Sequence, residues 1–339
     1  MGEYELRALR SGDETSLLET FNLVFGEGDP AFRPRTPAEW SWAFEHNPAG
    51  QRVMLALAGE QVVAQYAALP TRVWIDGTER RFAQIVDSMV HPEHRGAGRL
   101  FVRCARAFFE AYGSPERDLV HYGWPVERAL KIGRRSLGYE VVRTQLFLVR
   151  ELAGGPPLPP EADPIDAART VWDEGVVEVD DPGEQLRWLY ERCVGAFGAS
   201  TVRDEAWFRW RFRERPGQRY RSLGVRDADG CLRGLCVLTD GEWPLPRTGV
   251  IVDWLVPPSE PEVAERLLRA ACGALAERGA RRAVALFPEW SPWFEQFQER
   301  GFLAHPSDYC AVARAFHPHF DSTWLRDHWW YQLSDTDLV

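Results

Sequence analysis

Residues 90–101 read Val90-His91-Pro92-Glu93-His94-Arg95-Gly96-Ala97-Gly98-Arg99-Leu100-Phe101, and they carry more structural information than any other part of this 339-residue chain. Residues 82–90 are apolar and rich in β-branched side chains, which predicts a strand. Pro92 lacks the N–H that a strand needs, so the chain must leave the sheet there. Beyond the turn, apolar residues recur every three or four positions up to Tyr112, which predicts an amphipathic helix. The order is therefore strand, glycine-rich turn and helix.

This turn has the composition of an anion-binding site. Gly96 and Gly98 allow backbone torsions that other residues avoid, and they let the main chain approach a ligand closely. The following helix offers unpaired N–H groups and the positive end of its dipole, and Arg95 and Arg99 add positive charge, so the turn suits a phosphate or pyrophosphate. Two familiar phosphate loops are excluded. The Gly-Lys-Ser/Thr ending of a Walker loop is missing, and Phe101 stands where the dinucleotide fingerprint has its third glycine.

The same turn resembles the acyl-CoA-binding motif of the GNAT superfamily, the Gcn5-related N-acetyltransferases. That motif is Val-x-Pro followed by Arg/Gln-x-x-Gly-x-Gly/Ala. Val90 and Pro92 match the first part, Arg95 and Gly98 match the second, and Leu100 departs from the final position. The resemblance implies an α/β fold in which helices flank a mixed, mostly antiparallel sheet whose central strands splay apart.

The predicted elements of the first half follow the order of that family. The pattern predicts a strand over residues 4–9 and a helix over residues 13–25. Two hairpins follow, and their turns are at Gly59-Glu60 and Asp76-Gly77. Strand four is predicted over residues 82–90 and strand five over residues 118–124. The sequence therefore predicts the strands and helices that surround the glycine-rich turn.

The chain also contains an internal repeat. The aromatic cluster around Trp42 returns around Trp210, and Asp87 returns as Asp253 at nearly the same offset. The second copy has Pro-Ser-Glu-Pro-Glu at residues 258–262 in place of the glycine-rich turn, and its carboxylates would repel a phosphate. We therefore predict two GNAT-like domains. These are residues 1–150, which bind acyl-CoA, and residues 166–339, a degenerate copy without the nucleotide site, joined by a Pro/Gly-rich linker at residues 151–165.

The resemblance implies acetyl-CoA or another acyl-CoA as cosubstrate, and it implies no metal. In this family the pantetheine arm of the donor lies between strands four and five like an extra strand. The backbone of Met89 and Val90 would pair with that arm, and an N–H near them would polarise the thioester carbonyl. The predicted cofactor-binding residues are Met89, Val90, Arg95, Gly96, Ala97, Gly98, Arg99 and Leu100. The resemblance further implies direct transfer of the acyl group to an amine.

Two residues are candidates for proton transfer, and each has an alternative interpretation. Asp87 is predicted as the general base. A structural carboxylate held by an arginine or by backbone is an equally good interpretation. The presence of Asp253 at the corresponding position of the second copy favours this structural interpretation. Tyr122 is predicted as the acid that protonates the thiolate, or as a buried structural tyrosine. The family often has an asparagine and a tyrosine where this chain has Val126 and Gly133. The usual acid is therefore missing or moved.

Composition bears on the partners of the protein. The formal net charge is −10, so binding to bulk nucleic acid or to an anionic membrane is not expected. No apolar run is long enough to span a membrane, and the first ten residues lack the apolar core of a signal peptide. The six cysteines are scattered without a CxxC pair, which favours reduced thiols. We therefore predict a cytoplasmic protein with a small-molecule amine as acceptor.

Two alternative functions stay open at this point. In the first, the donor is an acyl carrier protein or an aminoacyl-tRNA, for which the arginines among aromatic residues 208–220 are the best positive patch. In the second, the first domain is a sensor that binds acyl-CoA without turnover. The sequence does not decide the acceptor, the acyl length or whether the chain forms a homodimer. The aromatic tail, residues 324–333, is predicted as a closing strand.

Overall fold

The computed structural model describes residues 4–96, 99–152 and 175–339. The chain folds into two compact units, each assembled from separate stretches of sequence. Unit 1 contains Met1–Arg143, Glu214–Pro216 and Tyr309–Leu325, and unit 2 contains Thr144–Arg213, Gly217–Asp308 and Arg326–Val339. Nearly all of the predicted linker, residues 151–165, lies outside the described residues. The domain boundaries drawn from the sequence stay a prediction.

Unit 1 begins with a strand and two helices, followed by a three-stranded meander, a helix and a short strand. Its elements are β1 (Glu5–Ala8), α1 (Glu14–Gly26), α2 (Pro37–Phe44), β2 (Arg52–Ala58), β3 (Gln61–Ile75), β4 (Thr78–Val90), α3 (Leu100–Tyr112), β5 (Val120–Gly123) and α4 (Glu127–Ile132), and then β6 (Glu140–Glu151) begins. The strand order is β1-β2-β3-β4-β5, and every neighbouring pair is antiparallel except β4 and β5, which are parallel.

Local sequence signals explain where these elements start and turn. Between β3 and β4, Asp76 and Gly77 have φ values of 46° and 82°, and two successive positive φ values are what a tight type I′ hairpin needs. Helix α2 starts with a capping box, in which Thr36 and Glu39 each accept a hydrogen bond from the other's backbone N–H. The meander and its helices are therefore specified by residues close together in the chain.

Helices cover both faces of the unit 1 sheet. On one face, Phe21 of α1 and Trp40 of α2 belong to a buried apolar cluster with residues of β2, β3 and β4. On the other face, Cys104 and Phe108 of α3 pack in a second cluster with Tyr66 of β3. Burial of one such large side chain stabilises the fold by about 1.5–3 kcal/mol. The predicted α/β class, a mixed and mostly antiparallel sheet flanked by helices, is confirmed.

Unit 2 repeats this order of elements. After the end of β6 come β7 (Val176–Glu178), α5 (Glu184–Cys193), β8 (Ala199–Thr201), α6 (Glu205–Phe208), β9 (Arg221–Arg226), β10 (Leu232–Gly241), β11 (Thr248–Leu255), α7 (Pro261–Glu277), β12 (Arg282–Ala285), α8 (Pro292–Glu299) and the start of β13 (Leu303–Ala315). The strand order is β7-β9-β10-β11-β12-β6, in which only β11 and β12 are parallel.

Two strands begin in one unit and end in the other. Residues 148–151 of β6 pair antiparallel with β12 and complete the sheet of unit 2. Residues 312–315 of β13, near the end of the chain, pair antiparallel with β5 and extend the sheet of unit 1. Each sheet therefore depends on a strand that the chain starts elsewhere.

The prediction of a closing strand over residues 324–333 is wrong. The segment contains α9 (Ser322–His328) and then a two-residue strand, β14 (Trp329–Trp330), which pairs parallel with β8. The Asp321 carboxylate accepts a hydrogen bond from the Trp324 N–H at 2.8 Å. This aspartate therefore starts a helix in a segment whose aromatic content alone favours a strand.

Candidate active site

The central strands of unit 1 part from each other. Strand β4 pairs with β5 at three positions only, residues 82–84 with residues 120–122. Strand β5 ends at Gly123, whereas β4 continues to Val90 and keeps its pairing with β3. Among the described residues, no strand pairs with residues 85–90 of β4 on the β5 side. The opening leaves this side of β4 without a strand partner, and such an edge can pair with an extended ligand as with an added strand. This confirms the predicted splay.

A β-bulge lies on β4 beside this opening. Gln65 of β3 is opposite Met89, but the next aligned residue of β4 is Val86, so Asp87 and Ser88 together oppose a single residue of β3. Asp87 has a φ of 54°, and the side-chain amide of Gln65 donates to the backbone carbonyl oxygen of Asp87 at 2.9 Å. A bulge bends a strand and interrupts its ladder, which is a common arrangement next to functional sites. The bulge precedes Met89 and Val90, whose backbone is predicted to pair with the donor.

The glycine-rich turn lies between the end of β4 and the start of α3. Gly96 has a φ of 84° and Arg99 a φ of 58°, both in the left-handed region, and Arg99 is the N-cap residue of α3. Ala97 and Gly98, two of the predicted ligand-binding residues, lie outside the described residues. Among the residues that are described, no side chain caps α3 and its first turn has no acidic residue, while Leu100 is buried and anchors that turn. The N–H groups there suit an anion.

Arg95 has two partners beside this turn. Its guanidinium forms an ion pair with Glu27 at 2.6 Å, and its Nε donates to the carbonyl oxygen of Val90 at 3.3 Å. Both charged side chains are exposed, and ion pairs of this kind contribute only about 0–1 kcal/mol. The Arg95 guanidinium can therefore exchange Glu27 for another anion at small cost.

Asp87 is paired with an arginine. Both guanidinium NH groups of Arg35 donate to the Asp87 carboxylate, one of them at 3.2 Å. The Asn22 side chain holds the backbone of Arg35 through two hydrogen bonds, of 2.8 and 3.2 Å, and the guanidinium carbon lies 4.1 Å from the centre of the Phe21 ring. This arrangement matches the structural interpretation of Asp87, and its role as general base stays a prediction. Sequence reasoning missed Arg35.

Tyr122 lies where β4 and β5 last pair. It is opposite Gln84 in the register, it is buried, and its ring centre is 5.7 Å from that of Trp124. The tyrosine is therefore near the start of the opening, which is compatible with both of its interpretations. Its role as general acid stays a prediction.

Tyr139 fills the space beside Gly133, where the family often has a tyrosine. A Cβ atom on Gly133 would lie 2.3 Å from the Tyr139 ring, so the glycine is required for this packing. The Tyr139 hydroxyl is hydrogen-bonded to the hydroxyl of Tyr66, and burial raises the pKa of Tyr139. Tyr139 therefore packs in the core under α3, and no tyrosine stands at position 133.

Unit 2 has a carboxylate where unit 1 has the glycine-rich turn. Glu260 is the N-cap residue of α7 and accepts hydrogen bonds from Arg233 at 2.7 and 3.1 Å and from Arg192. Burial acts to raise the pKa of Glu260, but the two arginines outweigh it and hold that pKa below its usual value. The Glu260 carboxylate therefore binds two arginines and makes no cap hydrogen bond to α7.

Two further observations concern membranes and metals. Within residues 4–96, 99–152 and 175–339, no helix is both long and apolar enough to cross a bilayer. The same residues contain no group of three or more His, Cys, Asp or Glu side chains that could hold a metal ion.

Comparison with known proteins identifies relatives of the fold. Residues 5–142 match the family described as "Acetyltransferase (GNAT) domain". No curated protein matches the chain in sequence.

Three solved structures resemble the chain over nearly its whole length. A probable N-acyltransferase from Enterococcus faecalis has a TM-score of 0.63 and 17% identity, covering 93% of this chain and 73% of that one. A GCN5-related N-acetyltransferase from Anabaena variabilis has a TM-score of 0.60 and 14% identity, covering 93% of this chain and 73% of that one. Saccharomyces cerevisiae N-myristoyltransferase with bound myristoyl-CoA has a TM-score of 0.56 and 13% identity, covering 92% of this chain and 82% of that one. At these identities the likeness concerns the fold.

Proposed function

We propose that the protein is an acyl-CoA-dependent N-acyltransferase that moves an acyl group, most simply acetyl, from the thioester to an amine, because residues 5–142 match the GNAT acetyltransferase domain family. The observation that carries this proposal is the combination of parted central strands with an uncapped helix start at the end of one of them. The first accepts an extended arm and the second accepts a diphosphate. The related yeast structure holds a long-chain acyl-CoA, which supports this donor class.

The donor would lie along the open side of β4. Met89 and Val90 would pair with the pantetheine arm through their backbone. The remaining predicted contacts, to the diphosphate, are Arg95, Gly96, Ala97, Gly98, Arg99 and the N–H of Leu100. The uncapped first turn of α3 and the positive φ of Gly96 support this assignment.

Transfer of the acyl group starts with the removal of a proton from the acceptor. The acceptor enters as an ammonium ion and loses one proton, for which Asp87 is the proposed base. The amine nitrogen then attacks the thioester carbonyl carbon, a C–N bond forms, and the C–S bond breaks. The second proton of the nitrogen goes to the departing thiolate, for which Tyr122 is the proposed donor, and the products are an amide and the CoA thiol. Backbone N–H groups beside the bulge would stabilise the developing oxyanion.

The binding of CoA tests the donor site. In the full chain, Gly96→Glu is expected to lower the affinity for CoA and acetyl-CoA about tenfold or more. The loss of one charge-assisted hydrogen bond alone costs about 1.5–3 kcal/mol of binding free energy. The added carboxylate repels the diphosphate. Isothermal titration calorimetry measures the effect.

Gly59→Glu is the matched control, because Gly59 also has a positive φ, of 64°, and open space around it, in the turn between β2 and β3. The control should bind CoA like the unchanged protein. Equal affinity of the two variants would refute the proposed position of the diphosphate.

One observation favours a second candidate function. Gly133 stands where the family often has a tyrosine, and this missing acid favours a sensor that binds acyl-CoA in unit 1 without turnover. Release of CoA thiol in the presence of amines separates the two functions. A sensor binds acetyl-CoA and releases no thiol with any amine, whereas the proposed enzyme releases one thiol for each amide formed.

A further inference from the structure

The ion pair of Arg35 and Asp87 has a counterpart in unit 2. Arg203 forms an ion pair with Asp253, and these two residues follow Arg35 and Asp87 at nearly the same offset in the chain. In both units the arginine immediately precedes the N-cap residue of the second helix. On the third strand of each meander, Asp87 lies in a bulge and Asp253 directly follows one. The two pairs are therefore the same structural feature in two settings.

In unit 2 the chain's own tail binds to this pair. The guanidinium of Arg203 donates to Asp253 at 3.0 Å and also to the Asp335 carboxylate at 2.7 Å. The Ser334 hydroxyl and the Gln332 amide donate to the Asp253 carboxylate at 2.6 and 3.0 Å. All five residues are buried. The tail thus supplies a carboxylate to the arginine and hydrogen-bond donors to the aspartate.

A further arginine holds the tail in this position. Arg211 is buried, and it donates to the carbonyl oxygens of Ser334 and Thr336 at 2.9 and 3.2 Å. The two arginines therefore hold the tail in a buried site. The pair of Arg203 and Asp253 binds a segment that offers a carboxylate next to a hydrogen-bond donor.

In unit 1 the corresponding pair is accessible. The side chains of Arg35 and Asp87 are 25% and 13% exposed, compared with 0% and 2% for Arg203 and Asp253. The described hydrogen bonds of the Arg35 guanidinium go to Asp87. Asp87 also lies in the bulge that precedes Met89, beside the proposed path of the thioester. A ligand can therefore reach in unit 1 the two groups that the tail covers in unit 2.

We propose that the acceptor amine of unit 1 also carries a carboxylate, as amino acids and related compounds do. This inference rests on the proposed acyltransferase function. The carboxylate of the acceptor binds Arg35, as Asp335 binds Arg203, and its ammonium group donates to Asp87, as Ser334 donates to Asp253. Arg35 is then the residue that determines acceptor specificity. Charge-assisted hydrogen bonds to a guanidinium suit this task, because they are strong and geometrically selective.

Paired acceptors test the proposal with the unchanged full-length protein. Thiol release from acetyl-CoA is measured with a panel of amino acids and with the same compounds as carboxamides, in which the carboxylate charge is removed. For the best pair, kcat/KM for the free carboxylate is expected to be about tenfold higher or more, since charge-assisted hydrogen bonds contribute about 1.5–3 kcal/mol. Equal values for both members of every pair would overturn the inference and leave the acyltransferase function intact.

Substitution of Arg35 provides the second measurement. Arg35→Gln should lower the ratio of kcat/KM for the carboxylate acceptor to kcat/KM for the carboxamide about tenfold or more, because only the carboxylate loses its binding partner. Arg33→Gln, an exposed arginine two positions away, is the control and should change neither value. A loss of the same size for both acceptors would overturn the role of Arg35.

Two other results have a defined meaning. The affinity for acetyl-CoA reports whether the Arg35 variant is folded, and if it is not, the paired acceptors decide the question alone. A protein that binds acetyl-CoA but releases no thiol with any amine refutes the proposed acyltransferase function, and the inference about the acceptor falls with it.

Discussion

His121 of β5 is buried, and none of the described residues gives its ring a well-placed hydrogen-bond partner. Its ring centre lies 4.7 to 5.6 Å from the rings of Phe108, Phe109 and Phe316. The nearest carboxylate oxygen, on Asp118, is 3.6 Å from Nε2, which is too far for a good hydrogen bond. Burial lowers the pKa of His121, and the attraction to Asp118 only partly opposes this effect. Burial therefore favours the neutral form of the ring.

This histidine is expected to make stability depend on pH. The pKa of His121 is lower in the folded chain than in the unfolded chain, where it is 6.5. As the pH falls through this range, the unfolded state binds more protons than the folded state. The unfolding free energy therefore falls as the pH falls. His121→Leu removes this titration, so the loss of unfolding free energy between pH 7 and pH 5 should be smaller in the variant. Urea unfolding at both pH values measures it. His46→Gln, at an exposed site, is the control, and an unchanged pH dependence in His121→Leu would contradict the argument.

At this scale the sequence predicts positions better than partners. Asp87 could be singled out because its place on a strand before the glycine-rich turn is a local pattern. Its partner Arg35 is far away in the sequence and no local motif marks it. A signal did exist, since Arg203 follows Arg35 at the same spacing at which Trp210 follows Trp42 in the aromatic repeat. The packing of a tyrosine ring beside Gly133 has no comparable signal, because it depends on the tertiary structure.

Among the elements, the segment before α7 in unit 2 is expected to depend on the ion pairs of Glu260. Glu260→Ala leaves Arg192 and Arg233 without their shared partner, and the unfolding free energy should fall by about 1–3 kcal/mol. Glu262→Ala, an exposed change in the first turn of the same helix, should cost less than about 1 kcal/mol. Denaturant unfolding compares the two, and equal losses would refute the special role of Glu260. Neither change should alter the affinity for CoA in unit 1.

Helices and hairpins could be predicted from the sequence, whereas strand partners could not. The spacing of apolar residues identified α3 and its end at Tyr112, and glycine turns identified the hairpins, because both signals are local. Nothing local in residues 312–315 indicates that they pair with β5, which lies in the first half of the chain. The prediction for residues 324–333 is wrong for a related reason. Their aromatic side chains favour a strand, but Asp321 starts a helix.

At the scale of the whole molecule, the first half of the chain is expected to be unstable alone. A fragment of residues 1–150 lacks Tyr309–Leu325, which belongs to unit 1, and it leaves the buried strand β5 with an uncovered edge. We expect the fragment to aggregate or to melt at a lower temperature than the full chain. Circular dichroism and light scattering measure both effects.

A peptide provides the control for this experiment. Residues 303–325, added as a separate chain, contain the strand that pairs with β5 and should raise the melting temperature of the fragment. A peptide of the same composition in scrambled order should have no effect. If residues 1–150 alone are monomeric and melt with the full chain, the dependence on the distant strand is refuted. The affinity for CoA is therefore best measured with the full chain.

The late arrival of β13 also constrains how such a protein is made and inherited. A ribosome delivers residues 312–315 long after residues 120–123, so the edge of β5 stays uncovered during that part of translation. A descendant gene truncated after the first half would lose the same strand. Selection for the proposed donor site in unit 1 therefore also preserves the distant strand that residues 312–315 add to its sheet.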